Sequence, residues 1–234
     1  MRARRTVALL LAGSLVTLGG CSDDDSAPVS EGKTPEEVMT LAKTSLDEAS
    51  GVQLSLEADE LPAGVNAISA AEGVGTHAPA FDGILTVVLG TQAFDVPVIA
   101  VDDVVYAQLP LVPGWSDDID PADYGAPDPA QLMSTDAGFS SLLPATEGVE
   151  EGESVRGGAN NDEVLTEFTG TVPGDVVSNV IPSATGDFDA TYTISAEGEL
   201  RTAELTGVFY PDTEPMTYTI GFDDYGTEQD ITAP

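Results

Sequence analysis

Cys21 is the only cysteine of the chain and follows Leu18-Gly19-Gly20. Small residues ahead of a cysteine let the backbone lie in a peptidase cleft, and the thiol can then accept a diacylglyceryl group. The spacing reads as a bacterial lipobox, with Gly19 where Ala, Ser or Thr is usual. The alternative is a buried or unpaired thiol, and a free thiol on an exported chain is a reactive liability. A single cysteine leaves no intrachain disulfide and no CxxC redox or zinc-ribbon site. His77 is the only histidine. That excludes an HExxH metalloprotease and a three-histidine zinc centre. A hydrolytic triad would have to use His77, and no serine sits in a GxSxG elbow, so an esterase reading rests on His77 alone. Gly73-Val74-Gly75-Thr76-His77-Ala78 matches GxGxxA. A dinucleotide fingerprint needs a strand before it and a long helix after it, whereas a small Ser/Ala/Gly-rich stretch in place of a strand precedes it here and Pro79 follows. Asp117, Asp118, Asp120, Asp123 and Asp128 carry carboxylates of the kind calcium takes, without the EF-hand loop pattern. Asp120 and Asp128 precede prolines and suit helix capping.

The elements that would position these groups follow from charge and periodicity. The 234 residues include 41 acidic and 7 basic ones, for a net charge of −34. Such a surface repels phosphate backbones, which excludes nucleic acid as a partner. Arg2, Arg4 and Arg5 precede an apolar stretch from Val7 to Val16, the pattern of a signal peptide over residues 1–20. It is too short to span a membrane comfortably. Cleavage before Cys21 would leave four basic residues against 41 acidic ones, so the polypeptide itself would not adhere to an anionic leaflet. Anchoring would come from acyl chains on Cys21. Residues 21–33 read as the lipidated cysteine and a flexible acidic tether.

Thr34-Pro35-Glu36-Glu37 is a capping box that starts a helix, and Val38, Leu41, Ala42 and Leu46 give it an apolar stripe. Gly51 ends it. Strand-like runs follow at Val52–Leu56, Ile84–Leu89, Phe94–Val101 and Val104–Leu109. A second group comprises Val164–Val172 and three alternating runs, around Tyr192, Leu205 and Tyr218. Between the groups, residues 114–161 are rich in Asp, Pro, Gly and Ala. Short helices are expected at Asp128–Met133 and Thr135–Leu143, an exposed loop over Glu147–Asn161, and another short helix after Pro173. About eight meandering strands argue a large antiparallel sheet with one face buried, in an α+β domain over residues 34–234. Periodicity alone leaves two solutions for the strands that are apolar on both faces. They can form a dense core, or curve around a cavity that takes an apolar ligand.

Several motifs of the mature chain resemble the actinobacterial LppX/LprA/LprF/LprG lipoproteins. They are LPAGV (61–65), FDGILTVVLG (81–90), VPVIAVDDVVYAQLP (96–110), DPADYGAPDPAQLM (120–133), FTGTVPG (168–174), IPSATGDFDATYTI (181–194), ELRTAELTGVFYP (199–211) and FDDYGTEQDITAP (222–234). The chain departs from better-known members in its acidity and its scarcity of lysine. The resemblance implies a LolA/LolB-like fold: a curved antiparallel half-barrel sheet with helices on its concave face enclosing a hydrophobic cavity. It also implies a carrier of acylated lipids, such as phosphatidylinositol mannoside-like glycolipids or triacylglycerol, moving them from the plasma membrane toward the outer envelope. A major-facilitator-type exporter is the implied protein partner. No catalytic residue, cofactor or metal belongs to such a carrier. The implied location is the outer face of the plasma membrane, held by the lipid anchor.

Under that reading the expected lipid-lining residues are Val88, Val96, Val98, Val104, Phe168, Ala190, Tyr192, Ile194, Leu205, Phe209, Tyr218 and Ile220 on strands. Leu132, Met133, Leu142 and Leu143 would form a helical lid, and Tyr106, Gln108 and Trp115 a polar mouth. Ordinary core packing is the competing reading at each position. A dense-cored structural or adhesion module of the envelope is the competing reading for the whole chain.

Overall fold

The computed structural model describes residues 27–121, 126–158 and 163–234. The signal segment, Cys21, the start of the tether and Asp123 lie outside the described residues. Helix α1 (Pro35–Glu48) begins as its capping box requires. The Glu37 amide donates to Thr34 Oγ1 at 3.3 Å, and the Thr34 amide donates to the Glu37 carboxylate at 2.8 Å. Val38, Met39, Ala42 and Leu46 form the buried stripe of α1.

Ten strands follow: β1 (Gly51–Ala58), β2 (Ala67–Thr76), β3 (Ala80–Leu89), β4 (Gln92–Val101), β5 (Val104–Ala107), β6 (Glu147–Gly157), β7 (Glu163–Val172), β8 (Thr185–Ser195), β9 (Leu200–Val208) and β10 (Met216–Asp223). Two short helices, α2 (Leu142–Ala145) and α3 (Gly174–Val180), complete the chain. All ten strands belong to one curved, open antiparallel sheet in the order β5-β4-β3-β2-β1-β10-β9-β8-β7-β6. The two strand groups of the sequence are thus two halves of one sheet, joined where β1 pairs with β10.

This order has a direct consequence. Strands β5 and β6 are consecutive in the chain yet lie at opposite edges of the sheet. The connection, residues 108–146, therefore has to cross from one edge to the other. It does so as a strap over the inner face, burying Met133, Phe139, Leu142 and Leu143. Lys43 of α1 ties this strap down. Its ammonium donates to the Thr135 carbonyl at 2.6 Å and Ser140 Oγ at 3.2 Å, and pairs with Asp47 at 2.6 Å.

Four expectations need correction. The small-residue stretch before His77 is strand β2, whose glycines give neighbours room. A Cβ on Gly75 would meet Met133 of the strap at 2.7 Å, and one on Gly73 would meet the Phe81 ring at 2.7 Å. Glu147–Gly157 is not a loop but edge strand β6, paired only to β7 through two register shifts. Most of its residues are exposed, so it shows no apolar alternation. Of the two helices expected in the strap, one is a 3-10 turn (Gln131–Met133); the other is a 3-10 turn (Phe139–Ser141) running into α2. Finally, the tether is folded at its end: Val29 is buried in the core, and Ser30 Oγ donates to Glu151 at 2.6 Å.

The main core lies between β6–β10, α1–α3 and the strap. Phe168, Phe188, Tyr192, Leu205 and Phe222 are essentially inaccessible there. Truncating such a residue removes buried area and leaves a cavity, at a cost of about 3–5 kcal/mol for Phe→Ala. We expect Phe168→Ala to lower the urea unfolding free energy by that amount. Ile84→Ala, at a side chain half exposed on the outer face, should change it by less than about 0.5 kcal/mol.

Candidate functional site

Strand register determines which side chains share the inner face. One row can be followed across eight strands: Phe168, Tyr192, Ala203, Ile220, Leu56, Ala71, Leu85 and Val96. The first three are fully buried beneath helices and strap. Ile220, Leu56, Ala71 and Leu85 are only partly buried. Leu54, Val87 and Phe94 share this state, and Leu54 touches both the main core and the smaller cluster of β3–β5. The inner face is therefore divided. Over β7–β9 it is a closed core; from Ile220 on β10 to Leu85 on β3 it is a partly open apolar trough whose smallest side chain is Ala71, and it is buried again at Val96 and Val98 on β4.

Tyr218 stands at the boundary. The register shift between Ile68 and Ala70 is a bulge in β2. The Tyr218 hydroxyl, projecting from β10, donates to the Ile68 carbonyl at 2.6 Å and lies 2.8 Å from the Tyr210 hydroxyl. Its ring stacks edge-on against Phe209, centroids 4.8 Å apart, and Phe209 packs likewise on Phe188. On the closed side, Tyr192 donates to Thr146 Oγ1 at 2.9 Å, and that hydroxyl donates to the Leu142 carbonyl at 2.9 Å. This links the strap's end to β8.

The expected lining residues thus separate into three groups. Phe168, Ala190, Tyr192, Ile194, Leu205, Phe209 and Tyr218, with Met133, Leu142 and Leu143, are gathered in the closed core, while Ile220 and Leu132 lie partly open against it. Val96 and Val98 are buried with Phe81, Ala100 and Val105. Val88 and Val104 alternate onto the outer face. The reason is turn geometry. Asp102 and Asp103 both adopt left-handed φ (54° and 60°), as a two-residue hairpin turn of type I′ requires. That turn pairs Val101 with Val104, so Val105 faces inward instead. The β3–β4 hairpin pairs Val88 with Ala93 and puts Val87 and Phe94 inside. Tyr106 lies on the outer face with Val104, Gln108 is exposed, and Trp115 is partly buried in the strap. Leu54, Leu56, Leu85, Val87 and Phe94 were not anticipated. Their alternation is visible in the sequence, but their partial burial depends on where the short helices sit.

The other candidate groups have structural work. His77 Nε2 lies 2.7 Å from the Leu46 carbonyl and donates to it, which occupies that nitrogen in closing the C-terminus of α1. Gly73–Thr76 ends strand β2, and a short turn leads from it into β3 with no helix following, so the GxGxxA stretch cannot cradle a dinucleotide. Asp128 accepts from the Ala130 amide at 2.9 Å. Among the described residues no group of three or more His, Cys, Asp or Glu is placed to hold a metal. An open cleft of about 490 Å³ lies at the opposite sheet end from the Tyr218 bulge, lined by Thr76, Pro79, Val101, Asp102 and Ile231 among others, and not between helices and sheet.

The family model for the LppX_LprAFG lipoproteins matches residues 34–232. The chain belongs to this family. The crystal structure of LprF from Mycobacterium bovis superimposes with a TM-score of 0.68 at 12% identity, covering 86% of this chain and 96% of LprF. Lipoprotein LppX from Mycobacterium tuberculosis gives a TM-score of 0.60 at 16% identity, covering 84% and 97%. At these identities the likeness establishes the fold that the family shares. No curated protein matches the chain in sequence. As a family member the chain is a lipoprotein, and no helix among the described residues is long and apolar enough to cross a membrane.

Burial pushes the Tyr192 hydroxyl up to about 12, and burial together with Tyr210 holds Tyr218 higher still, from an ordinary value of 10.0. A phenol whose folded pKa is raised stabilises the fold fully below its unfolded pKa, and that contribution is lost as pH rises. The urea midpoint should therefore hold up to about pH 9 and fall from about pH 10 upward. Tyr218→Phe should lower the midpoint at neutral pH, by losing the Ile68 bond, yet flatten the alkaline decline.

Proposed function

We propose that this protein is an envelope lipoprotein, acylated at Cys21, that shelters the acyl chains of a lipid in the trough that runs from β10 through β1 and β2 to β3. The observation that carries this reading is the row Ile220, Leu56, Ala71 and Leu85. These apolar side chains share one face, remain partly open, and adjoin a closed core rather than a polar surface. Each methylene withdrawn from water is worth about 0.8 kcal/mol, so about ten of them must be covered for micromolar holding. A lipid crossing an aqueous envelope needs such shielding. Membership of a lipoprotein family supports export and anchoring. The cargo we favour has several acyl chains, either a phosphatidylinositol mannoside-like glycolipid or a triacylglycerol, carried between the plasma membrane and the outer envelope. His77 Nε2 is held by the Leu46 carbonyl, and no described side chain bonds its Nδ1, so the esterase reading has no serine paired with the imidazole.

A second reading draws on β7–β9, where the inner face is closed. If the trough closes in the same way in solution, the protein is a structural module with no cargo.

Mass spectrometry of the intact chain, purified from a lipid-producing host, separates the two. Under native conditions the carrier reading expects a discrete non-covalent lipid mass. Under denaturing conditions it expects the chain to start at Cys21 with a covalent diacylglyceryl adduct. Ala71→Phe fills the trough at its smallest side chain and should release most of the non-covalent lipid while the adduct and the circular dichroism persist. Lipid-free wild-type protein that also takes up no added glycolipid would establish the structural module instead.

A further inference from the structure

Among the uncharged stretches of this acidic chain are 61–71, 83–94 and 104–116. The fold brings parts of all three to one end of the sheet. The first contains most of the loop between β1 and β2, and the second the turn between β3 and β4. These two are joined, since the Gly90 amide donates to Asn66 Oδ1 at 3.2 Å. The third runs on from β5. The Ala107 and Ser116 backbones bond to each other in both directions, which makes 108–115 a closed loop. The Gln108 amide donates to the Pro97 carbonyl, so this loop continues alongside β4 toward the same end.

The tip of that loop is apolar and exposed. Leu111 is fully accessible, and Val112 and Leu89 are exposed. Leu111 also holds φ at 69°, a left-handed conformation that leucine avoids. Pro110 and Pro113 bracket it and stiffen the tip. The loop is continuous with the trough, because Leu109 packs in the cluster of Val87 and Phe94.

We propose that this end of the sheet docks on the surface of a bilayer that carries little net charge, with Leu111 and Val112 inserted among the acyl chains at the trough's mouth. The inference rests on the carrier reading and names the surface with which the trough exchanges lipid. Charge selects the occupant. With 41 acidic against 7 basic residues, the chain repels anionic surfaces and its own copies, whereas the exposed apolar side chains Leu111, Val112 and Leu89 fit an uncharged lipid interface, with Asp59 and Glu60 of the β1–β2 loop kept in water at its rim. The tether permits the approach. From Cys21 to the folded Pro28 the chain reaches at most about 25 Å, so an anchored domain stays close to the membrane.

Trp115, the only tryptophan, lies in this loop and reports its surroundings. The full lipoprotein would be reconstituted in phosphatidylcholine vesicles brominated in the acyl chains, with the non-covalent lipid load measured on the same sample. Wild type should show Trp115 quenching and a blue shift. Leu111→Asp, at an exposed position that the fold does not need, should lose both while retaining its load. Phosphatidylglycerol in place of phosphatidylcholine should weaken the quenching at low salt. Unquenched Trp115 in loaded wild type would overturn the docking proposal and leave the carrier reading standing, as would association of copies through this end. Undiminished quenching in loaded Leu111→Asp would place the bromine in the trough and overturn it too. Quenching that depends on Leu111 in a chain that never holds lipid would support docking and remove the carrier reading.

Discussion

The strands at the two edges of the sheet are neighbours in the chain, and the segment between them has to cross the inner face. A ten-stranded antiparallel sheet in meander order could leave each connection at a local turn. Here the order β5-β4-β3-β2-β1-β10-β9-β8-β7-β6 makes every connection local except one. The exception, residues 108–146, is obliged to serve as a cover. Among the described residues, α1, α3 and this strap, which includes α2, are what hides the apolar inner face. They close it over β7–β9 and leave it partly uncovered from β10 to β3. The trough is thus a result of how little covering structure a sheet of this width has.

What the sequence showed depended on how regularly a strand buries one face. Phe188, Ala190, Tyr192 and Ile194 alternate without interruption, because β8 has helices on one side and water on the other. The capping box of α1 was legible for a local reason: Thr34 and Glu37 satisfy each other's amides whatever lies beyond. Strand β2 was hidden because it is built of Ala and Gly, which suit close neighbours and carry little hydrophobic signal. Strand β6 was hidden because an edge strand studded with Glu looks like a loop. Val88 and Val104 illustrate the hardest limit. Each has an apolar neighbour of opposite parity, Val87 and Val105, and a two-residue turn decides which of the two faces inward. The division of the face into closed and open halves was not readable at all, since it depends on where remote segments come to rest.

Polar groups in this protein are used to fasten layers. Lys43 holds the strap to α1, Thr146 holds the strap's end to Tyr192, and Tyr218 reaches over small Ala58 to the bulged backbone of β2. Arg201 pairs with Glu163 at 2.8 Å and Glu199 at 2.8 Å, and lies over the Tyr225 ring, clasping the end of the sheet away from the Tyr218 bulge. Basic residues are scarce, and Lys43 and Arg201 are both spent on such fastening. The acidic remainder keeps the surface solvated and leaves the loop tip at Leu111 and Val112 uncharged.

The central claim is that the inner face has a permanent core in one half and an exchangeable apolar site in the other. Amide hydrogen exchange on the intact chain, compared between lipid-loaded and stripped protein, tests it most directly. The account predicts added protection in β10, β1–β3 and the strap, with β7–β9 unchanged. Protection that appears chiefly in β7–β9, or identical exchange throughout with lipid bound, would contradict it.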